Sequence, residues 1–170
     1  MRTLLFLFTT LFSLSITAQA ILPLKERAIV MEEIQHDRFT ELLPALMKEH
    51  HIDAWVLITR EYNEDPVVKT MLPPTWLNAR RRTILVFTLD PKTGVVSRAA
   101  ITRYPFGKLI PSVWKKEEQP NQMKALVDYL RQKNPKKIGI NTSEIYGIVD
   151  GLAQTDYRLF EEALSSTLKK

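Results

Sequence analysis

Apolar side chains recur at spacings of three and four between Phe39 and Met47, at Phe39, Leu42, Leu43, Leu46 and Met47. That period draws one stripe along a helix, predicted from about Glu32 to His50. Pro44 interrupts the stripe. It predicts either a helix capped by Asp37 whose first turns lie close to Pro44, or a kink at the proline. Residues 21–31, with an early Pro23, read as a lead-in. The pattern then changes. Ile52–Thr59 (IDAWVLIT) is short, apolar and bounded by polar residues, which predicts a buried strand. Thr83–Leu89 and Val95–Thr102 predict two further strands, paired antiparallel across the turn Asp90-Pro91-Lys92-Thr93-Gly94.

Asn121 is placed to cap a helix running to about Lys133, with Met123, Leu126, Val127 and Leu130 on one face and Pro135 as its stop. Lys137–Asn141 reads as a short strand and Ser143–Asp150 as a helical turn. Thr155 is placed to cap a last helix carrying Tyr157, Leu159, Phe160, Ala163 and Leu164. Two stretches carry no period. Arg60–Arg82 is a long connection with turn signals at Asn63–Pro66 and Pro73-Pro74, and Tyr104–Pro120 is irregular. The order helix, strand, strand, strand, helix, strand, helix predicts an α/β fold, a mixed parallel/antiparallel sheet flanked by helices.

The first twenty residues stand apart. Arg2, an apolar stretch from Leu4 to Ile16 and the small-x-small triplet Ala18-Gln19-Ala20 have the layout of a secretory signal peptide. The stretch is too short to span a bilayer. The expectation is therefore an exported, periplasmic or secreted protein over residues 21–170, with no membrane attachment after cleavage. Of 170 residues, 45% are hydrophobic and 25% charged, a globular balance, and about 150 residues suffice for one domain. No cysteine is present, so the core carries stability without disulfides. The formal charge is +5, spread over scattered basic pairs, which reads as solvated surface and not as a nucleic-acid footprint.

Chemistry-bearing motifs are sparse. His36, His50 and His51 lack the i, i+4 spacing of a helical metal site. The acids Glu32-Glu33, Glu61-Glu64-Asp65 and Glu117-Glu118 have no spacing that forces them together, and Asn141-Thr142-Ser143 fits the glycosylation sequon. No phosphate-binding glycine loop, nucleophile elbow or cysteine nucleophile occurs. The strongest candidates are Trp76, Arg80, Arg81 and Arg82. An aromatic side chain and an arginine run beside a long proline-rich loop suit an interface or a carboxylate clamp.

Taken together, RFTELLPALMKEHHIDAWVLIT (38–59), EYNEDPVV, TILVFTLDPKTGVVSRAAI and KKIGINTSEIYGIVDGLAQTDYRLFEEAL resemble the N-terminal domain of the creatinase, prolidase and aminopeptidase P metallopeptidases. The match rests on segment order over most of residues 27–168. It implies a creatinase-type, ribonuclease H-like domain over residues 21–170. It also implies a separate catalytic domain of pitta-bread fold, absent from these residues, with two divalent metal ions. This chain would then supply no catalytic, cofactor or metal residue. It would assist oligomerisation and shape access to the active site of an exported Xaa-Pro aminopeptidase or dipeptidase. Its partners would be its own catalytic domain, a second subunit and the whole enzyme's peptide substrate, and Trp76 and Arg80–Arg82 would face an interface or active-site mouth. The alternative is a free-standing periplasmic binding or interaction domain without enzymatic activity.

Overall fold

The computed structural model describes residues 21–168; the expected signal peptide, residues 1–20, lies outside the described residues. Helix α1 (Leu24–Asp37) runs through a π-helical turn (Arg38–Leu42) into α2 (Leu43–Glu49). Helical structure therefore starts in what reads as lead-in, and Asp37 makes no side-chain cap. The cause is Pro44. It has no N–H to donate, and its ring crowds the carbonyl one turn back. The chain widens by one residue there, and the Leu43 N–H donates to the Arg38 carbonyl. The apolar stripe narrows in consequence. Phe39, Leu43 and Met47 are buried, whereas Leu42 and Leu46 are exposed.

Four strands form one mixed sheet: β1 (Ala54–Arg60), β2 (Arg82–Leu89), β3 (Val96–Ala100) and β4 (Ile138–Ile140), in the order β3-β2-β1-β4. β1 and β2 pair antiparallel, as do β2 and β3, while β4 lies parallel to β1. The turn between β2 and β3 forms as its residues dictate. Asp90 Oδ1 accepts from the N–H groups of Lys92 and Thr93, and Gly94 takes a left-handed φ of 71°. Those bonds to the ionised carboxylate hold the Asp90 pKa below its ordinary value.

Both faces of the sheet are covered, which explains why β1 and β2 read as nearly unbroken apolar runs. On one face Val56, Ile58, Ile84 and Val86 meet Leu126, Val127 and Leu130 of α4 (Gln122–Lys133) and Phe160 of α5 (Gln154–Leu168). On the other, Leu57, Leu85 and Phe87 meet Phe39, Leu43 and Met47. Asn121 caps α4 through the Lys124 N–H, and Asn134 ends it in the left-handed conformation. Thr155 instead lies inside the first turn of α5. The long connection carries an unforeseen helix, α3 (Pro66–Met71), with Asp65 as its N-cap and Pro66 at its first position. Ser143–Asp150 contains the short 3₁₀ turn Gly147–Val149. Among the described residues no helix is long and apolar enough to cross a membrane.

The π-helical turn sets which of two adjacent leucines faces the core. Leu43→Ala should cost about 2–5 kcal/mol in urea unfolding and Leu42→Ala under ~1 kcal/mol. Equal losses at the two positions would refute this register.

Candidate functional site

The three consecutive arginines separate into three environments. Arg80 is exposed, and its guanidinium lies over the rings of Trp76 (4.7 Å) and Tyr104 (5.6 Å). Trp76 is half-buried and meets Tyr104 and Phe106 edge-on, at centroid distances of 6.1 and 5.2 Å. It therefore packs down its own loop while leaving a face for the cation. Arg81 is exposed with φ 48°, a conformation disfavoured for a residue with a Cβ. Glu61 holds it there. The Arg81 N–H donates to Glu61 Oε2 at 3.0 Å, and the Glu61 N–H donates to the Arg81 carbonyl at 2.7 Å.

Arg82 turns inward. It opens β2 directly opposite Arg60, the last residue of β1. Asp156, fully buried in the first turn of α5, lies between the two guanidiniums. Arg60 donates from Nε to Oδ2 (2.7 Å) and from Nη2 to Oδ1 (2.9 Å). Arg82 Nε sits 2.9 Å from Oδ1, as an ion pair outside hydrogen-bond geometry. The hydrogen bonds to Asp156 raise the Arg60 pKa, with partial burial opposing them.

A second buried carboxylate sits at the same end of the sheet. Asp65 Oδ1 accepts from the N–H groups of Val67 and Val68. Its Oδ2 accepts from Asn141 Nδ2 (2.9 Å), and its own N–H donates to Thr59 Oγ1 (2.7 Å). Trp55 Nε1 donates to Asn141 Oδ1 (2.7 Å). Gly151 crosses so close to Asp65 that a Cβ there would collide with the carboxylate. The sequon asparagine is thus engaged at both ends of its amide as a structural link between β4 and the α3 cap.

The remaining candidates do not converge. Glu64 Oε1 accepts from the N–H groups of Tyr62 and Ala79, so the acids of the long connection hold backbone. Glu32 pairs with Lys108 and Glu118 with Lys115. His36 is exposed on α1, and His50 and His51 lie at the end of α2, with His51 in a turn at φ 52°. Among the described residues no group of three or more His, Cys, Asp or Glu is placed to hold a metal ion. The carboxylates of Asp65 and Asp156 are already taken up by donors and guanidiniums.

Beside the arginine segment lies an open groove of about 440 Å³, lined by Arg80, Arg81, Arg82, Arg103 and Lys116 with Tyr104 and Trp114. Thr102 and Gln122 complete it. Sequence reasoning missed Arg103, Lys116 and Asp156. The first two sit in irregular chain with no period, and the third is an ordinary helix-start acid until the fold brings two arginines to it. No family model, curated protein or solved structure matches this chain.

Trp76 has a packing role and Arg81 a strained exposed one, which separates their variants. Trp76→Ala should lower stability by about 2–4 kcal/mol in denaturant melts, since a large ring leaves a cavity. Arg81→Gly should leave it unchanged or raise it by up to ~1 kcal/mol by relieving the left-handed backbone. A marked loss for Arg81→Gly would mean that the arginine side chain itself holds the fold.

Proposed function

We propose that this chain is the creatinase-type, ribonuclease H-like N-terminal domain of an exported Xaa-Pro aminopeptidase- or dipeptidase-like metallopeptidase. In this reading it performs no bond chemistry. It supports assembly with its own catalytic domain and with a second subunit, and it narrows access for the peptide substrate. The two divalent metal ions belong to that catalytic domain, and no step is routed through residues of this chain.

The observation that carries the reading is the use of the resembling segments. Residues 38–59 supply the π-helical turn, α2 and β1, TILVFTLDPKTGVVSRAAI supplies most of β2, the turn and β3, and KKIGIN supplies β4. These segments build much of the mixed sheet and part of its helical cover. Exposed apolar side chains support a docking role. Leu24, Ile29, Val30, Met31 and Ile34 are exposed along α1, and Ile145, Tyr146 and Ile148 around the 3₁₀ turn. Clusters of this kind mark interaction surfaces. The second reading is a free-standing exported binding domain, and the helical cover on both faces of the sheet favours it.

The natural protein, isolated from its source with an antibody against this chain, separates the two. The proposal expects a species larger than 19.7 kDa that cleaves Xaa-Pro peptides and loses that activity to a chelator. A species no larger than the chain, inactive on such peptides, would contradict it and favour the second reading.

A further inference from the structure

The groove beside the arginine segment gathers positive charge. Its lining holds five cationic side chains and no carboxylate. Arg82 is turned to the buried Asp156. Among the described residues, the other four, Arg80, Arg81, Arg103 and Lys116, form no ion pair. Like charges around one concavity repel, and focus the field on whatever enters it.

One of the four cations is also held in place before any ligand arrives, and the backbone of a second is fixed. Arg80 rests on Trp76 and Tyr104, which limits the freedom of its guanidinium. The Arg81 backbone is fixed in the left-handed conformation by Glu61, whose carboxylate accepts from the Arg81 N–H and whose own N–H donates to the Arg81 carbonyl. An ordinary solvated surface requires neither feature. The open groove, about 440 Å³, has room for a small molecule. Arginine forks match the planar or tetrahedral oxygens of carboxylate and phosphate. Tyr104 and Trp114 give the groove apolar wall as well.

We infer that this groove is a binding site for a small multivalent oxyanion, carboxylate or phosphate, held by Arg80, Arg81, Arg103 and Lys116. The site is independent of the peptidase reading. It needs only these side chains and the loop geometry that presents them. A nucleic acid would need the positive charge to continue along a stripe, whereas in the adjoining groove Lys124 and Arg131 stand among the carboxylates Asp128 and Glu162.

Isothermal titration of the purified protein with citrate and with pyrophosphate, at ionic strength fixed with sodium chloride, tests the inference. Saturable one-to-one binding of citrate alone assigns a carboxylate ligand, and of pyrophosphate alone a phosphate ligand. Binding of both assigns the shared oxyanion chemistry. Arg103→Ala with Lys116→Ala should weaken that binding by about tenfold or more, the equivalent of ~1.4 kcal/mol, without moving the thermal melt. Arg80→Lys keeps the charge but loses the fork, and should weaken it by about threefold or more. It provides a second test should the double variant fail to fold. No saturable binding of either probe overturns the inference. So does affinity unchanged in both variants, or tighter retention of a single-stranded oligonucleotide than of either small anion.

Discussion

Arg60 and Arg82 face each other across β1 and β2 in the antiparallel register. Two like charges directly opposite would push the strand ends apart. Asp156 resolves this from a helix almost one hundred residues later in the chain. Its carboxylate is buried and meets both guanidiniums, and it sits in the first turn of α5, where the helix dipole also favours a negative charge. The contact ties the last helix to the first two strands. It seats Phe160 on the core beside α4, and it turns Arg82 away from Arg80 and Arg81. The arginine segment is thereby divided into one structural cation and two outward ones.

A second polar link reinforces the same end of the sheet. Asp65 caps α3, and Asn141 joins that cap to the end of β4 and to Trp55. Buried polar groups of this kind are costly unless every partner is present, so together they fix a single arrangement of the loops. The outcome is an end of the sheet tied together by side-chain hydrogen bonds. The connection between β1 and β2 is long, yet Glu61, Glu64 and Asp65 each hold backbone N–H groups within it. These acids are spent on geometry, and the cations beside them remain open.

Much of this fold was legible from local pattern. The turn Asp90–Gly94, the Asn121 cap and the α4 stripe of Met123, Leu126, Val127 and Leu130 each follow from a few neighbouring residues, and each forms as read. Other features depended on contacts distant in sequence. The π-helical turn answers Pro44 in a way that spacing alone leaves open, and it exposes Leu42 and Leu46. Asp65-Pro66 carried a legible helix start, a cap followed by a proline at the first position, but read as a turn because the helix it opens is only six residues long. The site was half legible. Trp76 and Arg80–Arg82 stood out by type and clustering, whereas Arg103 and Lys116 join them only because irregular chain folds back across the end of the sheet.

The central claim is that the buried Asp156 contact holds α5 on the sheet. Hydrogen exchange on an Asp156→Asn variant tests it most directly, since asparagine keeps the shape and removes the charge. The account predicts that amides of α5 lose at least about tenfold in protection, the equivalent of ~1.4 kcal/mol, while Val56, Leu57, Leu85 and Val86 at the centre of β1 and β2 keep most of theirs. Unchanged protection in α5 would contradict it.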